Sequence, residues 1–437
     1  KIIEKVVAAR LTKHMRENNL EEEFQSAYKA RHSTETALLR VQNDILLALD
    51  DKKGLGVFLV LLDLSAAFDT IDHTILLKLL TDILGVDGTA LDWFRSYLTG
   101  RSQQVVINLV KSALHILLYG VPQGSVLGPI LFCIYILAVG HIIRKHGFKF
   151  HTYADDTQIY ISFDIKSPQS AAQKLRDLEA CIAEIKLWMT AKKLKLNDSK
   201  TEFLIITTPY YRKMFRDLTL KIGDVSVASV SSAKNLGVIF DQFLGMKPQI
   251  SSICKASYYQ LRKIGSIRKF LTSDATAYLV QSFVTSRLDY GNSLLFGIDS
   301  ASLDKLQRLQ NTAARIVSLT KKFDHITPVL KSLHWLPVKL RIKYKIILLT
   351  FKALNDLAPS YLNSLLDVKK VDPTKIVTRS MTKGDLNKPS GRLVSYGDRA
   401  FSVAAPRLWN HIPDDIKSIT SLALFKKSLK TLLFREY

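Results

Sequence analysis

FKFHTYADDTQIYISF, residues 148–163, is the stretch whose reading decides the fold. Residues 148–153 alternate large apolar with polar side chains, and residues 158–163 do the same. A period of two predicts two β-strands, joined by a tight turn at Ala154-Asp155-Asp156-Thr157. Aspartate is a common turn residue, so the pair alone specifies little. Two adjacent like charges repel, however, and a divalent cation removes that repulsion. The hairpin is a candidate metal platform that needs a third carboxylate from elsewhere in the chain.

Upstream, GLGVFLVLL at 54–62 is a continuous apolar run of the kind buried on both faces of a sheet, and Asp63 stands at its end. A carboxylate closing a buried strand is where a metal ligand is expected. Asp69 and Asp72 suit the start of the next helix through capping and the macrodipole. Between the acids lies Val121-Pro122-Gln123-Gly124-Ser125, where Gly124 allows close backbone approach and Gln123 offers both a donor and an acceptor. The order of single acid, Gln-Gly loop and paired acids is a far stronger signal than any of the three alone. Near the start, Ser33-Thr34-Glu35-Thr36 predicts a helix running to about Asp50. The preceding cations Lys29 and Arg31 read either as solvated charges or as a clamp on a triphosphate.

Other stretches read as scaffold. Leu175, Leu178, Ile182, Ile185 and Met189 form one stripe of a helix over 167–190. Residues 100–110 and 111–118 predict a pair of strands, and 218–240 a small hairpin around Gly223. Residues 250–319 carry helical periodicity, and 371–390 is the most loop-like stretch.

The chain of 437 residues carries 62 Lys and Arg against 39 Asp and Glu, a net charge of +23 that favours a polyanionic partner. Residues 321–437 hold 22 Lys and Arg against 9 Asp and Glu, interleaved with His334-Trp335, Tyr344, Tyr396 and Trp409. That mixture suits an RNA surface. The longest apolar run, 130–140, is about half a membrane span, so no membrane partner is expected. Cys133, Cys181 and Cys254 lack metal-ligand spacing and read as reduced thiols of an intracellular protein. The chain begins at Lys1 inside an amphipathic helix, without Met, which reads as a fragment of a longer polypeptide.

Taken together, LDLSAAFDTIDH at 62–73, GVPQGSVLGPILF at 120–132, YADDTQIY at 153–160, LKLNDSKTE at 194–202 and KNLGVIFD at 234–241 resemble, in order and spacing, the reverse transcriptases of LINE-type (non-LTR) retrotransposons of the Jockey and chicken-repeat-like groups. FQSAYKARHSTETALL resembles the fingers of that family. SRLDYGNSLL, LQRLQNTAARI, LHWLPVKLRIKYKI, FKALNDLAPSYL and AFSVAAPRLWNHIP resemble its C-terminal half. The chain departs from the family at Ala27-Tyr28-Lys29, where Gly-Phe-Arg is usual, and at Gly291, where Cys is common. The family's opening fingers motif and nicking endonuclease are not within the sequence.

The resemblance implies an α+β right-hand polymerase: fingers and palm at 1–241, a helical thumb at 242–319 and a basic C-terminal region at 320–437. It implies RNA-directed DNA polymerisation, with an RNA template, a DNA primer and dNTPs as partners. The cofactor implied is Mg²⁺, with Mn²⁺ as an alternative, in a two-ion site. Asp63, Asp155 and Asp156 would be the ligands with the backbone carbonyl of Leu64. Phe68 would close on the sugar, Gln123 and Gly124 would contact the nucleotide, and Lys29 with Arg31 would hold its triphosphate. Lys200 would neutralise or protonate the leaving pyrophosphate, and 235–241 would grip the primer. Nucleus and cytoplasmic ribonucleoprotein are the expected locations. A catalytically silent nucleic-acid-binding remnant and a group II intron-type enzyme remain as alternatives.

Overall fold

The computed structural model describes residues 1–437 apart from Ala66, Arg216 and 370–383. Its centre is a four-stranded antiparallel sheet. In chain order the strands are β1 (Leu55–Leu62), β2 (Lys149–Tyr153), β3 (Asp156–Asp164) and β4 (Glu202–Ile206), and in space they run β4-β1-β3-β2. The apolar run at 54–62 is the inner strand β1, and its alternate residues enter two different cores. Phe58, Val60 and Leu62 face one cluster, while Val57 and Leu59 face another. A sheet covered on both faces explains why β1 is apolar throughout rather than alternating.

Helices supply the covers. α1 (Ile2–Glu17) gives Ala8, Leu11 and Met15 to the first core, whereas Ile2, Ile3 and Val6 stay exposed. α2 (Thr34–Asp50) begins with a reciprocal capping box between Ser33 and Thr36 and packs on the second face. α3 (Gly128–Tyr135) and α4 (Leu137–Lys145) follow the Gln-Gly loop. Residues Gly128–Lys145 are long and apolar enough to cross a membrane by length and composition, with mean hydropathy 1.4, yet 56% of them are buried within the fold. α5 (Pro168–Ala191), capped by Ser167, buries the expected stripe from Leu175 to Met189 under the first face.

Beyond β4 the chain makes two hairpins where the sequence predicts one: Thr219–Ile222 with Val225–Ala228, then β5 (Ser232–Asn235) with β6 (Val238–Asp241). The strand pair expected over 100–118 is a ribbon of four two-residue strands, all exposed. The Asp241 carboxylate accepts from the N–H groups of Phe243, Gly245 and Met246 at 3.0, 3.1 and 2.6 Å. Those bonds turn the chain into α6 (Lys247–Ile267), which packs on α7 (Ser300–Ser318).

α8 (Val338–Leu354), α9 (Phe401–Trp409) and α10 (Leu422–Arg435) complete the chain. α8 and α9 are tied into the second core, where Val338, Ile346, Leu349, Phe401 and Ala405 join α2, β1 and the α6–α7 pair, whereas α10 buries Phe425, Leu429 and Leu433 in a third cluster with Leu348, Phe351 and Trp409. Tyr396 and Trp409 are 7% and 3% exposed, so these rings pack protein and are not free to stack on bases. Most of the loop expected over 371–390 lies outside the described residues.

Gly56 shows how tightly the centre is built. A Cβ there would stand 2.5 Å from the ring of its cross-strand partner Phe163, which stacks on Phe58 at 4.2 Å. Gly56→Ala is expected to lower stability by about 1–3 kcal/mol through overpacking, read by urea unfolding. An unchanged midpoint would mean that the stack has room to shift.

Candidate active site

The register of β1 and β3 builds the site. Leu62 lies opposite Thr157, so Asp63 emerges beside the hairpin tip. That tip is tighter than the sequence suggests. Tyr153 pairs with Asp156, so the loop is Ala154-Asp155 alone and Asp156 already belongs to β3. Ala154 has φ +56°, the left-handed backbone that a two-residue hairpin loop demands and that glycine usually supplies.

The three carboxylates feel one another. Loss of water raises the Asp155 carboxyl, and the Asp63 charge raises it further, while Lys200 opposes this. Asp156 is an exposed residue, yet its carboxyl is carried from the ordinary 3.8 up to about 6, first by loss of water and then by Asp155 and Asp63. The Asp63 carboxylate has turned toward Lys200, whose Nζ lies 3.2 Å from Oδ2. This is a charge contact without hydrogen-bond geometry, so among the described residues Oδ2 remains a buried oxygen with no hydrogen-bond donor. Lys200 reaches Asp63 because Asn197 N–H donates to the Asp63 carbonyl at 2.9 Å and Leu64 pairs with Leu196.

A hard divalent cation suits this donor set: carboxylate oxygens only, mutually repelling, one of them unbonded. Among the described residues, no three His, Cys, Asp or Glu side chains are yet gathered closely enough to enclose an ion. The triad is assembled by backbone register and coupled by charge, not clenched.

The raised Asp156 value fixes a pH dependence. A carboxyl with a folded-state pKa above its unfolded value adds stability when protonated, and that contribution is lost as pH rises from about 4 through about 6. Asp156→Asn is therefore expected to stabilise the chain at pH 7.5 by about 1 kcal/mol, a figure discounted for solvent exposure. The gain should vanish near pH 4. Urea unfolding across that range checks it, and an equal gain at both ends would contradict it.

A second group forms around the Gln-Gly loop. Gly120 and Val121 N–H donate to the carbonyls of Ile71 and Phe68 at 2.8 and 3.0 Å, docking the loop on the segment after Asp63. Phe68 stacks on Phe132 at 4.7 Å and is partly buried. Gln123 Nε2 donates to the Asp69 carboxylate at 3.0 Å, while Gly124 (φ +73°) stands in open space. Asp69 thus anchors Gln123 and does not cap the helix; Asp72 does so, accepting from Ile75 N–H at 3.0 Å.

The two predicted clamp cations lie otherwise engaged. Lys29 Nζ donates to the Glu22 carbonyl at 2.7 Å and pairs with Glu21 at 3.2 Å, and Arg31 donates to the Asp356 carbonyl. Their neighbour Tyr28, 57% exposed, is close enough for Asp155 to raise its hydroxyl pKa, after burial and Cys133.

Three positioning groups escape sequence reasoning. Gln25 is 3% exposed, and its Oε1 accepts from Ala154 N–H at 3.0 Å and Ala27 N–H at 2.9 Å. Behind the hairpin, Ser26 Oγ bonds His151 Nε2 at 2.7 Å and Tyr361 Oη at 2.8 Å. Burial holds His151 neutral, its pKa pushed down to about 3. Asn235 donates to the Gln158 side chain at 2.7 Å, tying the β5–β6 hairpin to β3. His151 on β2 and Gln158 on β3 occupy polar positions of alternating strands yet are buried, which alternation alone does not disclose.

Comparison with known proteins bears on what this geometry is for. The family described as reverse transcriptase (RNA-dependent DNA polymerase) matches residues 1–240. The chain is 26% identical over 327 residues to a probable RNA-directed DNA polymerase from transposon X-element of Drosophila melanogaster. It is also 26% identical over 335 residues to the RNA-directed DNA polymerase from mobile element jockey of Drosophila funebris. In both cases 73% of this chain is covered, and the chain spans about a third of the relative's length, 34%. A telomerase structure from Candida tropicalis, with a TWJ fragment of telomeric RNA, covers 98% of this chain and 56% of its own at 10% identity and TM-score 0.42, too distant to add to the assignment.

Proposed function

The chain belongs to the reverse transcriptase family, and on that premise we propose that it is an RNA-directed DNA polymerase of a LINE-type retrotransposon. It adds dNTPs to a DNA primer on an RNA template, in the target-primed manner of such elements. The observation that carries this reading is the Leu62–Thr157 register, which sets Asp63 beside Asp155 and Asp156 and couples their charges.

Asp63, Asp155 and Asp156 would hold Mg²⁺, or Mn²⁺ in its place, with the Leu64 carbonyl nearby. Divalent ions bound there supply charge neutralisation and activation of the attacking hydroxyl. The chain's own groups do the rest. Phe68, fixed on Phe132, limits the space at the sugar. Gln123 is held by Asp69 at the nucleotide, with Gly124 giving close approach. Lys200 leaves Asp63 and delivers charge or a proton to the departing pyrophosphate. Lys29 and Arg31 exchange their present partners for the triphosphate. Residues 235–241 present backbone to the primer. Residues 1–241 act as fingers and palm and 242–319 as thumb. Residues 320–437 extend the nucleic-acid path from their exposed cations.

Primer extension on an RNA template with Mg²⁺ tests the proposal. Incorporation that is lost in Asp155→Ala, Asp156→Ala supports it. Equal background incorporation by both proteins would leave a silent nucleic-acid-binding remnant.

A further inference from the structure

We propose that the far end of the α6–α7 pair carries a separate binding site for unpaired polynucleotide. Lys247–Phe270 holds six Lys and Arg and no Asp or Glu, and Lys255, Arg262, Lys263 and Lys269 are all exposed. At 1.5 Å per residue, Arg268 lies about 30 Å along the helix from Lys247, which follows β6 in the chain. There α6 and α7 enclose a groove of about 1190 Å³, lined by Tyr258, Lys269, Arg308, Arg315 and Lys322 among others and, among the described residues, by no carboxylate. It is larger than a small-molecule pocket and open to solvent, as a polymer requires.

The rim shows which polymer. Phe270 and Phe323, on turns that border the groove, are 77% and 92% exposed, each with a lysine ammonium over its ring at 4.9 and 5.6 Å. Tyr259, half exposed, carries Lys263 in the same way at 4.5 Å. Exposed rings on mobile loops would need no explanation, but these turns are fastened. Arg268, 9% exposed, donates to the carbonyls of Ile316, Val317 and Leu271 at 2.8, 2.9 and 2.7 Å, bolting the Lys269-Phe270 turn to the end of α7. Arg315 donates to the carbonyls of Lys321 and Asp324 at 3.3 and 3.1 Å, closing the turn that bears Lys322 and Phe323. Two buried or half-buried arginines therefore hold two phenyl rings out into solvent beside a cationic groove.

Stacking faces are available on unpaired bases and hidden inside a duplex, while phosphates attract the cations in either form. The rings make this a reader of single strands rather than a general anionic surface. The inference does not depend on polymerase activity.

Fluorescence anisotropy with labelled unstructured RNA, single-stranded DNA of the same sequence and a blunt duplex tests it, in the absence of dNTPs. The double variant Phe270→Ala, Phe323→Ala should weaken single-strand binding by about tenfold or more and leave duplex binding unchanged. Loss on the RNA arm, the DNA arm or both identifies which polymer the site takes. Lys269→Ala, Lys322→Ala should reduce the salt slope of single-strand affinity by about 1.4. Unchanged single-strand affinity, or an equal loss for duplex, would overturn the proposal. All four side chains are exposed, and matching unfolding curves exclude misfolding as the cause.

Discussion

Asp155→Asn is expected to reduce RNA-templated primer extension about 10³-fold or more while leaving the chain folded and slightly more stable. The two effects have one origin. Asp155 stands at the loop tip with its carboxyl raised by burial and by the Asp63 charge, so the native state bears repulsion that asparagine relieves. The same carboxylate is a proposed cation ligand, and ion-based charge stabilisation is worth several kcal/mol in phosphoryl transfer. Single-turnover extension and urea unfolding on the same preparations separate the terms. Activity lost together with stability would mean a folding defect, and activity retained would remove Asp155 from the chemistry.

Gln25→Ala should produce the largest effect of any residue outside the carboxylate cluster. Its Oε1 satisfies two buried N–H groups, and Ala154 is held at φ +56° only by its surroundings. Leaving both donors unpaired costs about 2–4 kcal/mol, and a displaced tip would cost about 10²-fold in extension rate. The companion variant is Ala154→Gly, because glycine adopts positive φ without help. The double variant should recover extension rate more than stability, since the backbone strain is gone but the orphaned donors persist. If Gln25→Ala extends primers normally, the tip is held by the β2–β3 ladder alone.

What the sequence disclosed was whatever is local. Strand β1, the α5 stripe and the Ser33 cap follow from period and capping, and each stands where expected, while Asp156 lies within β3 and not in the turn. What it concealed depends on partners distant in the chain. Whether Lys29 reaches a nucleotide or Glu21 is decided by how the segment 21–31 folds back, which no local pattern states. Tyr396 and Trp409 have the composition of a stacking surface, yet packing places them inside. Phe270 and Phe323 look like ordinary apolar residues until the structure leaves them in solvent. The tight Ala154-Asp155 loop was obscured because alanine is not the residue a left-handed turn advertises, and Gln25 because its target lies 129 residues away.

Mn²⁺ titration followed by electron paramagnetic resonance tests the convergence of the acids most directly. The wild-type chain should deplete the free-ion signal at stoichiometric sites, more strongly at pH 7.5 than at pH 5, where Asp156 is protonated. The Asp63→Asn, Asp155→Asn double variant should leave the signal at its protein-free level. Equal depletion by both proteins would contradict the account, because the ions would then be held by something other than the carboxylates that β1 and the hairpin bring together.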